Sequence, residues 1–153
     1  MSTEQNKALF RQLIEEIFNR GNMSRADELL APDFVEREEL PPGMPRDREG
    51  VKQLTTMLHS AFPDFKFTID DMIAEGDKVA VLSTRGGTLT AKWGALNPTG
   101  KKMRVKRFAL YRLEDGRIAE MWVMDEFLGQ YQQLGVLPAN SEFIRSYNES
   151  HPA

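Results

Sequence analysis

The chain has no cysteine and only two histidines among its 153 residues. Without cysteine there are no disulfides, thiol nucleophiles, iron–sulfur clusters or zinc–thiolate sites, and the redox compartment stays undetermined by this count. No apolar run approaches the ~18 residues that span a bilayer, and Met1-Ser2-Thr3-Glu4-Gln5 is polar where a signal peptide is basic and then apolar. A cytoplasmic protein without a membrane partner is expected. The basic residues are scattered and the net charge is -3, so the basic patch that nucleic acid demands is missing. What is present is ordinary: 41% hydrophobic and 28% charged residues, the balance of a soluble domain with one core.

Apolar spacing divides the chain into helices first and strands later. Leu9, Phe10, Leu13, Ile14, Ile17 and Phe18 recur at helical spacing, with Ser2 and Gln5 as a capping box, so residues 3–20 read as an amphipathic helix ended by Gly21. Ser24 caps a short second helix carrying Leu29 and Leu30, which Pro32 stops. Residues 33–37 then enter a loop with Pro41, Pro42 and Pro45, suited to rim a cavity. A third helix is predicted over 48–62, with Val51, Leu54, Leu58 and Ala61 on one face and Pro63 forbidding continuation.

From Asp64 the period becomes two, Phe65, Phe67 and Ile69 alternating with polar residues. Turns at Glu75-Gly76-Asp77, Asn97-Pro98-Thr99-Gly100 and Glu114-Asp115-Gly116 separate strands predicted over 78–90, 101–113 and 117–125, an antiparallel meander. Met103 and Val105 lie out of phase with Phe108 and Leu110, which predicts a β-bulge near Lys106-Arg107. A short helix or turn is expected over 129–135, followed by a polar tail over 139–153 whose apolar residues are Phe143, Ile144 and Tyr147. The reading is α+β: helices packed on a curved sheet that encloses a pocket. Both faces of the strand bearing Val79, Ala80, Val81 and Leu82 are apolar, so a second layer is expected on the far side, supplied by a symmetric homodimer.

Segments in a fixed order resemble the SnoaL-like polyketide (ester) cyclases of the NTF2-like superfamily. They include Phe18-Asn19-Arg20-Gly21-Asn22, Glu28-Leu29-Leu30-Ala31-Pro32-Asp33-Phe34-Val35, Ala61-Phe62-Pro63-Asp64, Glu75-Gly76-Asp77-Lys78-Val79, Asp115-Gly116-Arg117-Ile118 and Gln132-Gln133-Leu134-Gly135. The resemblance runs from about residue 6 to 138, giving a domain over 1–138 and a tail over 139–153. It implies an NTF2-like cone and an intramolecular aldol closure on a hydrophobic polyketide-type ketone or ester, with no cofactor or metal and a hydrophobic small molecule as partner. Such chemistry rests on positioning and general acid/base help.

The family pattern places an Asp four residues after the last-strand Trp; here Glu126 stands at that distance from Trp122, with Asp125 just before it. Trp122, Met124 and Glu126 share a strand face, which is expected to set Glu126 in a partly desolvated mouth as the acid/base. Where relatives carry His, this chain has Arg37, Leu89 and Met121, leaving carboxylates, Arg and Tyr for chemistry; His59 is expected on a solvated helix face. Arg37 and Arg107 can each anchor a ligand oxygen or, for Arg37, pair at the surface with Glu36, Glu38 or Glu39. Phe34, Trp93, Tyr111 and Trp122 can line an aromatic pocket or fill core, and Met124 can do either. Two other functions remain open: a non-catalytic protein binding a small apolar molecule, and an epoxide hydrolase-like enzyme, for which Ala109 stands where a second Asp would follow Arg107.

Overall fold

The computed structural model describes residues 2–37 and 43–151. Pro41, Pro42, Glu38 and Glu39, expected in the rim and as partners of Arg37, lie outside the described residues. The first helix, α1 (Thr3–Gln12), begins on the predicted capping box, Ser2 accepting from Gln5 N–H and Gln5 reaching back to Ser2 N–H. It continues as a π-helical stretch over Leu13–Asn19, a wider turn that buries both Ile17 and Phe18. His59 Nε2 donates to the Phe18 carbonyl at 2.8 Å, so this imidazole is half-buried and ties two helices rather than lying on a solvated face.

After a 3-10 turn (Met23–Arg25) and α2 (Ala26–Leu29), the chain enters β1 (Leu30–Glu36). The predicted helix carrying Leu30 and the loop after Pro32 are corrected here. Pro32 is tolerated because β1 is an edge strand, where a missing N–H need not break a ladder. Next come α3 (Arg48–Ala61), capped by Asp47, and the strands β2 (Lys66–Glu75), β3 (Lys78–Thr88), β4 (Lys102–Glu114) and β5 (Arg117–Asp125). The sheet order is β1-β5-β4-β3-β2, an antiparallel meander with β1 added parallel to β5. Asp115 (φ 47) and Gly116 (φ 74) make the tight turn between β4 and β5, both left-handed as a two-residue hairpin turn requires.

No bulge occurs at Lys106-Arg107. The β3–β4 register runs unbroken from Lys78↔Arg112 to Thr88↔Lys102, and Met103, Val105, Arg107, Ala109, Tyr111 and Leu113 all face inward. The apparent phase change arose because the inward set contains an arginine while Phe108 and Leu110 lie on the outer face. Irregular register falls instead in β2 between Ile69 and Asp71 and in β5, where Ala119 is extra between Ile118 and Glu120, the partners of Leu113 and Arg112; bulges of this kind bend a sheet. The concave side packs on α1 and its π continuation through Phe10 against Tyr111 (ring centroids 4.4 Å apart) and Phe18 against Phe67 (5.7 Å). Burying a side chain of this size stabilises the fold by about 1.5–3 kcal/mol.

The short helix α4 (Phe127–Gln133) follows β5 directly, and the tail forms α5 (Asn140–Ser150), which buries none of its residues. Gln132 Nε2 holds its start, donating to the Pro138 carbonyl at 2.9 Å and Asn140 Oδ1 at 2.8 Å. Among the described residues no helix is long and apolar enough to cross a membrane.

Candidate active site

A cavity of about 370 Å³ opens between the sheet's concave side and the helices α3 and α4. One part is aromatic, formed by Phe18, Phe65, Phe67, Trp93, Phe127 and Tyr131. Another carries Glu36, Arg85, Arg107, Asp125 and Gln130. Its volume lies in the range of small-molecule sites, about 300–1,000 Å³, and few polar groups in an apolar wall is their usual make-up.

Strand parity puts each polar side chain there. Asp125 ends β5 in phase with the buried Met121 and Val123, and its side chain is only 7% exposed. Arg85 follows Val79, Val81 and Ser83 on the inward face of β3, and Arg107 occupies the same face of β4. Arg85 Nε lies 3.0 Å from Asp125 Oδ1, and Arg107 Nη1 lies 3.6 Å from Oδ2, so two guanidiniums flank one carboxylate. Arg85 Nη2 also donates to Gln130 Oε1 at 2.7 Å, locking α4 to β3. The Arg107 guanidinium sits over the Phe67 ring, 5.7 Å from its centroid, a cation–π contact.

Glu36 ends β1 in phase with Phe34 and is 2% exposed. Loss of hydration pushes its carboxyl above the usual range, opposed by Arg107, reinforced by Asp125 and opposed again by Arg46. Beneath the cavity floor, burial pushes the Tyr111 hydroxyl up to about 12, while Arg107 acts to lower it. Among the described residues no group of three or more His, Asp or Glu is placed to hold a metal ion.

Of the residues singled out in the sequence, the structure brings Asp125, Arg107 and Trp93 together in the cavity wall, with Tyr111 in the core below and Phe34 as core. Trp122 and Met124 do share a face, but it is the outer one, and Glu126 lies past the end of β5 as the residue that precedes α4. Met124 is 74% exposed, and Glu126 accepts from Lys106 N–H at 3.2 Å outside the cavity. The desolvated mouth expected around Glu126 is therefore corrected: one residue's difference in parity puts Asp125 inside in its place. Arg37 is a surface residue, its Nε 2.9 Å from Glu120 Oε2. Glu36, Arg85 and Gln130 went unremarked as site residues. Their signal was alternation: Glu36 is two residues from Phe34, and Arg85 is in phase with Val79 and Val81.

Helices over a curved mixed sheet define an NTF2-like fold, and carboxyls and guanidiniums stand together in the wall of its cavity. The chain belongs to the SnoaL-like polyketide cyclase family, whose sequence pattern matches residues 8–134. Among solved structures it is similar to TsrD from Streptomyces laurentii, at 25% identity and a TM-score of 0.81 over 90% of this chain and 99% of that one. IdmH from Streptomyces antibioticus is 34% identical, with a TM-score of 0.73 over 86% of this chain and 99% of its own. AclR from Streptomyces galilaeus is 25% identical, with a TM-score of 0.75 over 90% and 100%. No curated protein matches the chain in sequence.

Proposed function

We propose that the protein is a cofactor-independent cyclase or isomerase acting on a hydrophobic polyketide-type ketone or ester, with Asp125 as general base. Membership of the SnoaL-like family supports a reaction of this type. The observation that carries the assignment to Asp125 is its carboxylate, set between Arg85 and Arg107 in the wall of a cavity that combines an aromatic lining with a second carboxyl, Glu36. In the reading proposed, Asp125 takes the proton from the carbon next to a carbonyl. The enolate oxygen that develops is stabilised by guanidinium N–H donors, fixed before reaction by their pairing with Asp125. The enolate carbon then bonds to a second carbonyl carbon held against the aromatic wall, and the resulting alkoxide takes the proton back from Asp125, which restores the base. Positioning supplies the rest, since both reacting carbons belong to one bound chain.

A simple probe of this base is deuterium exchange at the α-carbon of 2-tetralone, followed by NMR in D2O. Wild-type protein is expected to accelerate exchange, and Asp125→Asn to reduce that acceleration by about 10²–10⁴-fold, the usual worth of a positioned acid or base. Glu126→Gln, altered outside the cavity, is expected to exchange at the wild-type rate. Exchange no faster than in buffer would sink the enzymatic reading and favour a protein that only binds its ligand.

A specific observation also favours a second reading. The carboxylate that Ala109 does not supply beside Arg107 has a counterpart in Glu36, so two carboxyls and an arginine are available to direct water onto an epoxide. Diol formation from limonene oxide, lost in both Glu36→Gln and Asp125→Asn, is the outcome that would select it.

A further inference from the structure

Glutamine carries a carbonyl acceptor and an N–H₂ donor and is mostly a surface residue, yet Gln130 is 1% exposed and lines the cavity. Its carbonyl end is occupied. Arg85 Nη2 donates to Gln130 Oε1 at 2.7 Å, and because a guanidinium only donates, this contact fixes which end of the amide is oxygen. The N–H₂ end meets no acceptor among the described residues. A buried donor in that position costs stability unless something accepts from it.

Helix α4 holds the donor in place. Gln133 bonds both backbone groups of Arg104 on β4, accepting from its N–H at 2.7 Å and donating to its carbonyl at 3.1 Å, and Leu134 after it is fully buried. Phe127, Gln130 and Tyr131 fall on one side of the helix by their spacing, and the two rings stack 6.4 Å apart. All three line the cavity, so α4 offers an amide donor beside an aromatic surface. Arg85 joins that donor to Asp125: its Nε lies 3.0 Å from Asp125 Oδ1 while its Nη2 is on Gln130, so the carboxylate and the amide stand at two ends of one guanidinium.

We propose that Gln130 is a substrate-contacting residue whose amide N–H₂ donates to the ligand's carbonyl oxygen, with the carbon next to that carbonyl against Asp125. The inference rests on the reading of Asp125 as the base and adds to it a neutral donor that selects ketones and esters over apolar molecules of the same shape. When Asp125 takes the proton, the electron pair of the broken C–H bond passes into the enolate and its oxygen gains negative charge. The Gln130 hydrogen bond then changes from neutral to charge-assisted. It is stronger to the enolate than to the ketone, which is the condition for raising a rate and not only an affinity.

The test pairs 2-tetralone with tetralin, the same bicycle without the carbonyl, in the wild type and in Gln130→Glu. The substitution keeps an oxygen for Arg85 and replaces the N–H₂ donor with a second acceptor. By calorimetry, the preference for 2-tetralone over tetralin should fall about three- to tenfold in the variant, the worth of one hydrogen bond. Exchange at the α-carbon, with saturating 2-tetralone, should fall at least about tenfold, since removing one donor from an oxyanion site costs about 10²–10³-fold in rate. In the isotope-labelled wild type, the Gln130 side-chain N–H₂ resonance should move with 2-tetralone and not with tetralin, a readout that needs no variant. Wild-type exchange and an unchanged ketone preference in Gln130→Glu would overturn the inference, because Gln130 would then act only by holding Arg85, a hold the substitution keeps. So would a resonance that stays still with 2-tetralone or moves equally with both compounds. Either result leaves the reading of Asp125 standing, whereas a wild type that neither binds 2-tetralone nor exchanges it overturns both.

Discussion

Glu36 is a carboxyl that folding takes out of water, and its proton inventory therefore differs between the folded and unfolded chain. Its ordinary value is 4.5, and burial raises it in the folded state. Below 4.5 both states hold the proton and Glu36 contributes nothing to the pH dependence of stability. Above that value the unfolded chain loses its proton first, so folding has to retain one, and stability falls as the pH rises through the window up to the raised folded value. Beyond it the loss is complete and constant. Glu36→Gln keeps the shape and removes the titration. Thermal unfolding from about pH 4 to about pH 8 should show a shallower decline for the variant than for the wild type, and a higher melting point at the upper end. Parallel curves would mean that the Glu36 carboxyl is not desolvated in solution.

At the scale of elements, the contrast between helix α3 and strand β4 shows what a sequence discloses. Val51, Leu58 and Pro63 define α3 almost to the residue, because an apolar face and a proline stop are local. In β4 the strand was legible but its inner face was not: Arg107 faces in beside Ala109, and Phe108 faces out at 50% exposure. Polarity misassigned the face for a physical reason. Arg107 is buried because Asp125 from another strand pairs with it, and Phe108 is exposed because no described element of its own chain packs on the outer side of the sheet. The same long-range cause hid Glu36 and Arg85, whose burial depends on partners on other strands. Strand β1 was missed because its pairing with β5 is parallel and distant in sequence, with no hairpin turn to announce it.

The tail shows the opposite case, an element with local order and little tertiary hold. Helix α5 has apolar residues at helical spacing, Phe143, Ile144 and Tyr147, but none is buried. Removing residues 139–153 should therefore change folding stability by no more than about 0.5 kcal/mol, as for surface changes in general. Chemical denaturation of the truncated chain checks this. A loss several times larger would show that α5 packs on the domain.

Over the whole molecule, the outer face of the sheet carries two apolar rows that cross several strands. Register aligns Ile73 with Ala80, Ala80 with Leu110 and Leu110 with Trp122, and beside this row it aligns Leu82 with Phe108 and Phe108 with Met124. Ile73 is 68% exposed and Trp122 is 38% exposed. Apolar side chains scattered singly on a surface need no cover, but rows in cross-strand contact form a continuous patch of the kind that marks an interface. We propose that a second copy of the chain covers it. A twofold axis through the sheet would bring the same rows together from both protomers, and no other surface has to be complementary. The cavity lies on the opposite side, so dimerisation through these rows leaves its lining unchanged. Phe108→Glu places a charge in the middle of the patch without touching the inward face of β4. In sedimentation equilibrium the wild type is expected at twice the 17.5 kDa chain mass and the variant at the chain mass itself. Circular dichroism of the variant should stay unchanged, which separates a lost interface from a lost fold. A wild-type chain that sediments as a monomer at every concentration would rule out this arrangement and leave the rows without a cover from its own kind.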